Sequence, residues 1–465
     1  MLMKQYYLAV DIGASSGRLM LGALGDSKNL ELEEIHRFHN GVVKRGGALC
    51  WEFDRLFDEI LTGMKKCREL GKIPVSIGVD TWGVDFVLLD KNNELIGDFV
   101  AYRDARTQGV PKMLAGIIPE SELYSRTGIQ KQPFNTIYQL YTIPEQLEKA
   151  ETLLLTPEYF HYLLTGRAMN EYTNATTTGL VNAKEKTWDY ELIDRLGYPK
   201  RLFGQLHMPG ETLGGLHPEI AEKVGFDCKV VLPATHDTAS AVAAAPMDDD
   251  SVYISSGTWS LIGVESAEPI TNEESRTLNL TNEGGVEHRF RYLKNSMGLW
   301  MIQEVRRELG DKYSYTQLAE MAQEAESFCS IVNTENPEYL SPESMIAAIR
   351  TECRKTGQPV PESPAELAAC IFKSLARGYK NAVTELEKMT GRSFKRICIV
   401  GGGCKNEYLN ELTARATGLA VSAGPSEATA LGNIAVQMIA SGAVSNIGEA
   451  RGIIKESFHI NEILP

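Results

Sequence analysis

The 465-residue sequence is short of positive charge: 47 Lys and Arg stand against 61 Asp and Glu, a formal net charge of −14. A surface this acidic has no footprint for neutralising a phosphate backbone or an anionic bilayer, which excludes nucleic acid and membrane as partners. Long apolar runs are also missing. The segment before Asp11 is too short for a signal-peptide core and no later run approaches spanning length, so a cytoplasmic protein is expected. The eight cysteines, at 50, 67, 228, 329, 353, 370, 398 and 404, form no C-x-x-C pair and no Cys/His cluster at zinc spacing. They read as reduced, packed thiols, and a reducing compartment disfavours the conceivable Cys353–Cys370 disulfide. The sequon Asn174-Ala175-Thr176 is incidental without a secretory signal. Two phosphate-binding signatures are absent. Gly71-Lys72 lacks both the first glycine and the hydroxyl residue of a P-loop, and no G-x-G-x-x-G follows a first strand.

What is present is ample core and a repeated local pattern. Hydrophobic residues make up 43% of the chain, and the length suggests two or three globular units. Apolar runs at Tyr7–Asp11, Arg18–Leu24 and Leu30–His39 predict a strand meander that puts Gly13-Ala14-Ser15-Ser16-Gly17 at a hairpin tip. Three- and four-residue spacing from Phe53 to Cys67 predicts an amphipathic helix, followed by strands Val75–Asp80 and Val84–Leu89. Residues 95–230 are mixed, with helices near 136–148 and 156–164. A second compact pattern opens with strands Val252–Ser255 and Ser260–Val264 around Ser255-Ser256-Gly257-Thr258, then strand His288–Leu293. Helices follow at 298–308, 341–355 and 364–389, then strand Arg396–Val400, the turn Gly401-Gly402-Gly403, and helices 407–417 and 429–442. The two hairpins lie about half a chain apart, which predicts two similar lobes, 1–245 and 246–465, parting at Pro246-Met247-Asp248-Asp249-Asp250.

Several segments could carry chemistry, each with a plainer reading beside it. Hairpin tips of Gly, Ser and Thr offer backbone N–H and hydroxyl groups without bulk, so two of them could hold a triphosphate; two ordinary tight turns remain the alternative. Asp11, just before the first tip, could bind Mg²⁺ through water. In Thr235-His236-Asp237-Thr238-Ala239-Ser240, Asp237 could cap the alanine-rich helix that follows or act as a base toward an attacking hydroxyl. Gly78–Asp85 and Ala101–Arg106 mix rings with charged and hydrogen-bonding groups, as a sugar pocket does; a strand turn with a buried Trp and a surface ion pair would look the same. Gly401–Asn406 could let a nucleotide approach the backbone, or be a plain turn.

Taken in order, Asp11–Arg18, Asp80–Asp85, Thr235–Ser240, Ser255–Ser260 and Gly401–Asn406 resemble the FGGY family of carbohydrate kinases. The likeness runs from about residue 6 to about 440 and includes Ala101–Arg106, Glu171–Thr178, Thr281–Gly285 and Leu293–Asn295. The resemblance implies an α/β, two-lobed actin-like (ribonuclease H-like) ATPase fold of FGGY kinase type, with the sugar and a first phosphate site in the N-terminal lobe and ATP on the C-terminal one. It implies ATP and Mg²⁺ as cofactors, and transfer of the γ-phosphate to the 1-hydroxyl of L-rhamnulose, or of another ketose such as L-fuculose, L-ribulose or D-xylulose. By the same resemblance Asp237 is the proton acceptor, and Gly83, His236, Asp237, Thr238 and Asn295 contact the sugar. Ala14, Ser15, Ser16, Gly17 and Arg18 match the first phosphate hairpin, and Thr258, Gln303, Gly401 and Gly402 the rest of the ATP site. A monomer or homodimer is expected. In Leu412–Thr417 a cysteine pair carried by some relatives is absent. Other classes stay open at this point: an actin-like ATPase acting as a chaperone or assembly module, and a nucleotide-binding regulator without catalysis.

Overall fold

The structure is a computed structural model that describes residues 4–465. The chain divides into two compact units. Unit 1 comprises residues up to Ala244 together with Glu265–Tyr292 and Ala428–Ser457, and unit 2 comprises Ala245–Val264, Leu293–Glu427 and Phe458–Pro465. The split at Ala244 is thus followed by two later segments that rejoin unit 1, which differs from a contiguous lobe over 246–465. The physical reason is visible in Ala428–Ala440, whose apolar face and two buried amides find their partners on the sheet of unit 1.

Unit 1 is built on a six-stranded sheet. Its strands are β1 (Gln5–Ile12), β2 (Ser16–Leu24), β3 (Leu30–His39), β4 (Ser76–Thr81), β5 (Thr212–Gly215) and β6 (Lys229–Val231), in spatial order β5-β6-β4-β1-β2-β3. The β1–β2–β3 meander is antiparallel, while β4 runs parallel to β1 and β6 parallel to β4. Strands flanked on both faces are apolar almost throughout. Leu8, Val10, Ile12, Ile77 and Val79 are fully buried in one cluster with Leu56, Ile60 and Met64 of helix α1 (Phe53–Glu69). Two further helices of this unit are α2 (Asp237–Ala244) and α3 (Ala428–Ala440). Buried amides tie α3 to the sheet: Gln437 Nε2 donates to the Leu8 carbonyl at 3.0 Å, and Asn433 Nδ2 donates to the Gly78 carbonyl at 3.1 Å. Both side chains are fully buried, so these bonds remove what would otherwise be a desolvation cost.

Unit 2 repeats the opening motif. An antiparallel hairpin of β7 (Ser251–Ser256) and β8 (Trp259–Ser266) pairs through β7 with the parallel strand β9 (Arg396–Val400). Strand β10 (Ala420–Ala423) runs parallel beyond β9, and β11 (Asn461–Ile463) closes that edge antiparallel. Helices Trp300–Glu308, Met345–Lys355, Pro364–Thr390 and Glu407–Thr417 start within a few residues of their predicted positions. Ser363 begins the longest of them with a capping box to Glu366. The predicted 136–148 helix is two pieces, Thr136–Tyr141 and Pro144–Lys149, because Pro144 has no N–H to continue the first. Sequence periodicity did not reveal helix Tyr315–Glu324 or strand Leu280–Gly284. All eight cysteines are free thiols, Cys353 and Cys370 included. Among the described residues no helix is long and apolar enough to cross a membrane.

Candidate active site

Strand register alone assembles a charged corner at the carboxyl ends of the unit 1 sheet, where open α/β sheets bind their ligands. Asp11 on β1 is the register partner of Arg18 on β2 and of Asp80 on β4. Both Nε and Nη2 of Arg18 lie 3.0 Å from Asp11 Oδ2. Asp80 is fully buried. Its Oδ2 accepts from Asn433 at 2.6 Å, and its Oδ1 has no hydrogen-bond partner. Burial, then the Asp11 and Asp237 charges, hold the Asp80 carboxyl well above the usual carboxylate range, although the Asn433 bond opposes them.

The tip between β1 and β2 is held open by its own backbone. Gly13 N–H donates to the Ser16 carbonyl at 2.9 Å, and Asn40 brackets the turn, its N–H on the Ser15 carbonyl and its Nδ2 on the Gly13 carbonyl. Among the described residues the N–H groups of Ala14 and Ser15 donate to no protein acceptor. A Cβ at Gly17 would fall 2.2 Å from the Phe38 ring, so a larger residue there would have to displace that ring from beneath the tip. A donor-rich turn beside Arg18 is suited to an anion.

Beyond β6 the chain extends to Thr235 and His236, and a bridge between Thr81 and His236 continues the sheet. Asp237 then opens α2. Its Oδ1 accepts from the N–H of the next residue, Thr238, at 2.6 Å, and its side chain keeps 28% of its surface exposed. Burial, followed by the Asp11 charge, pushes its carboxyl up to about 7. A carboxylate that titrates near neutrality and is partly open is matched to general-base work. The loop is fixed from behind by Glu171, whose buried carboxylate accepts from Thr235 N–H and Oγ1, Thr173 N–H and Oγ1, and Asn174 N–H.

Gly83 sits half-buried in the turn after β4, against Thr177. Its neighbour Val84 has φ 69°, a left-handed conformation that a β-branched residue adopts only under constraint. The constraint is explicit: Val84 N–H is bonded to Thr177 Oγ1 at 3.1 Å, and its carbonyl accepts from Thr136 Oγ1 at 2.6 Å and Gln139 Nε2 at 3.1 Å. The predicted strand accordingly starts at Phe86 instead of Val84. Asp85 completes the anchor, accepting from Trp51 Nε1 at 2.8 Å, Trp82 Nε1 at 2.9 Å and Tyr102 N–H at 3.1 Å. Burial raises its carboxyl to about 6 even so. The suspected surface ion pair is absent here; Asp104 caps the turn Ala105–Thr107, and Arg106 reaches Gln139.

Unit 1 thus brings together Asp11, Arg18, the hairpin tip, Asp237 and its two neighbours, with Gly83 on the adjoining turn. The remaining residues singled out in the sequence lie in unit 2. Thr258 is exposed at the tip of β7–β8, with its Oγ1 3.4 Å from Gln303 Oε1, and Gly257 accepts from Leu299 N–H at 2.9 Å. Gly401 takes φ 83° beside that tip, and a Cβ at Gly403 would fall 2.0 Å from Ser256 Oγ, so the glycine turn and the hairpin are in close backbone contact. Gly402 is exposed above them, and Asn295 is half-buried on strand Phe290–Met297. Sequence reasoning missed Asn433, Arg291 and Glu283, which hold Asp80 and His236 from distant segments.

Comparison with known proteins bears on this geometry. The N-terminal domain of the FGGY family of carbohydrate kinases matches residues 6–244, and the C-terminal domain of that family matches 252–441. A protein named rhamnulokinase from Halalkalibacterium halodurans is 51% identical over 459 residues, covering 98% of each chain, and one of the same name from Bacillus subtilis is 45% identical over 99% of this chain and 95% of its own. Among solved structures, a ligand-bound xylulose kinase from Lactobacillus acidophilus superposes with a TM-score of 0.82 at 18% identity, covering 99% of this chain and 94% of that one. Glycerol kinase from Plasmodium falciparum with ADP superposes at 0.78 and 11% identity, covering 98% and 94%. At such identities these two speak for the fold.

Proposed function

We propose, from the premise that this chain belongs to the FGGY family of carbohydrate kinases, that it transfers the γ-phosphate of ATP to the 1-hydroxyl of L-rhamnulose, giving L-rhamnulose 1-phosphate and ADP. The observation that carries the chemistry is the Asp237 carboxylate, titrating near neutrality beside a cationic, donor-rich hairpin. Phosphoryl transfer asks little covalent chemistry of a protein and much positioning and charge neutralisation. Asp237 accepts the proton of the 1-hydroxyl as its oxygen bonds to the γ-phosphorus and the bond to the leaving ADP oxygen breaks. The open N–H groups of Ala14 and Ser15, with Ser16, Gly17 and Arg18, take up phosphate charge, and we assign Thr258, Gln303, Gly401 and Gly402 to the remainder of ATP. Gly83, His236, Thr238 and Asn295 are assigned to the ketose.

The corner also fits Mg²⁺. Asp80 Oδ1 is buried without a partner and Asp11 is its register neighbour, an arrangement that gains from a cation. When bound, Mg²⁺ supplies neutralisation of phosphate charge, and Asp11 and Asp80 are the residues that would hold it.

Since only the ionised form of Asp237 takes a proton, and its carboxyl sits near 7 instead of near 4, activity should be lost on the acid side. The expected kcat/KM for the ketose climbs about tenfold per pH unit up to roughly pH 7 and is level above it. A pH–rate profile already level at pH 5 contradicts the assignment. The function itself is tested by ADP release from ATP with and without L-rhamnulose, where release that depends on the sugar is expected.

A further inference from the structure

The imidazole of His236 has both ring nitrogens engaged inside the protein. Arg291 Nη2 lies 3.0 Å from Nδ1, and Thr238 Oγ1 lies 3.0 Å from Nε2. Arg291 is itself fully buried and fixed on three sides: Nη2 also donates to Glu283 Oε2 at 2.9 Å, Nε donates to the Gly284 carbonyl at 2.9 Å, and Nη1 donates to Thr238 Oγ1 at 3.3 Å. A guanidinium has donors only. A protonated Nδ1 would therefore set two donors against each other at 3.0 Å, so Nδ1 must accept and the ring proton must sit on Nε2. A protonated Nδ1 could instead donate a hydrogen bond to Glu283 Oε2, but at 3.4 Å that is the more distant partner and is already occupied by Arg291.

The consequence passes to Thr238. Its oxygen accepts from His236 Nε2–H and from Arg291 Nη1–H, which uses both lone pairs. Its own hydroxyl proton is left with no protein acceptor, on a side chain that is partly exposed beside Asp237. We infer that Arg291 is a positioning residue that locks His236 in the Nε2–H tautomer, so that the hydroxyl of Thr238, and not the imidazole, donates the hydrogen bond to a ketose oxygen. This rests on the assignment of the ketose to this loop. Without Arg291, the ring proton can move to Nδ1, which then donates a hydrogen bond to the Glu283 carboxylate. The bare Nε2 then accepts from the Thr238 hydroxyl, and the donor is turned away from the sugar.

The test has two arms that fail separately. In the full-length protein labelled with [¹⁵N]histidine, long-range ¹H–¹⁵N correlations of the His236 ring, assigned with His236→Asn, are expected to show Nε2 protonated and Nδ1 bare, with the tautomer reversed in Arg291→Met. A protonated Nδ1 in the parent protein, or no reversal in the variant, overturns the inference, and neither readout depends on the substrate's identity. Kinetically, Arg291→Met and Thr238→Val are each expected to raise KM for L-rhamnulose roughly tenfold, with KM for ATP unchanged, the scale of one lost neutral hydrogen bond. Thr238→Ser is expected to restore the parent value. The double variant should be no worse than either single one, because both remove the same donor; a product of the two effects, near a hundredfold, overturns it. If burying Glu283 without Arg291 prevents folding, the parent tautomer and the Val/Ser pair at Thr238 still decide.

Discussion

Asp237→Asn is expected to lower kcat by on the order of 10² to 10⁴, leaving KM for ketose and for ATP within a few-fold of the parent. Asparagine keeps the shape and the side-chain oxygen that accepts from the Thr238 N–H, so α2 and the loop that precedes it should stay in place. What it lacks is a lone pair basic enough to take a proton from the attacking hydroxyl. Loss confined to kcat is the signature of an interaction made only in the transition state. Steady-state kinetics with a binding isotherm for ATP check both halves of the statement. A variant that keeps more than a tenth of parental turnover removes Asp237 from the role of proton acceptor.

The second large effect is on stability and is set by one glycine. Gly432 lies where α3 crosses α2, and a Cβ there would fall 1.7 Å from the Ser240 carbonyl oxygen and 2.6 Å from its carbon. Both obstacles are main chain of a buried helix, so neither can swing aside. Alanine ordinarily gains about 1 kcal/mol over glycine inside a helix. Overpacking a filled interior costs about 1–3 kcal/mol and more when backbone must move, so the clash wins. Gly432→Ala is expected to lower the melting temperature by at least a few degrees, and to lower kcat at temperatures where the protein is still folded. The second effect follows from place: the next residue, Asn433, holds Asp80, and α2 begins with Asp237. A thermal melt and a rate at 25 °C check the two parts. An unchanged or raised melting temperature contradicts the packing.

Much of this site was legible in the sequence because its parts are local. The turn at Gly13–Gly17 between alternating strands fixed a hairpin tip, and pairing across a hairpin necessarily sets Asp11 against Arg18. Asp237 at the start of an alanine-rich run was readable as a helix opening, and the repeat of the hairpin in unit 2 was readable from the Ser255–Thr258 turn. What escaped depends on contacts between distant segments. Asn433 and Gln437 look like polar interruptions in an apolar helix until the sheet they reach is known, and the return of that helix to unit 1 is likewise invisible to composition. Nothing in the local pattern singles out Arg291 or Glu283, yet burial turns them into the partners that fix His236. Val84 opens the apolar run predicted as strand Val84–Leu89, and only its bonds to Thr177, Thr136 and Gln139 hold it at φ 69°.

The measurement that reaches the central claim most directly is ADP formation by the full-length protein with ATP and Mg²⁺, run with L-rhamnulose, L-fuculose, L-ribulose, D-xylulose or no sugar. One inverted hydroxyl or missing methyl is worth roughly 1–3 kcal/mol of discrimination, so measurable turnover of a second ketose is compatible with the account. The account predicts ADP release that requires a ketose, with the highest kcat/KM for L-rhamnulose. ADP release at the same rate without any sugar, or a higher kcat/KM for one of the other three ketoses, contradicts it.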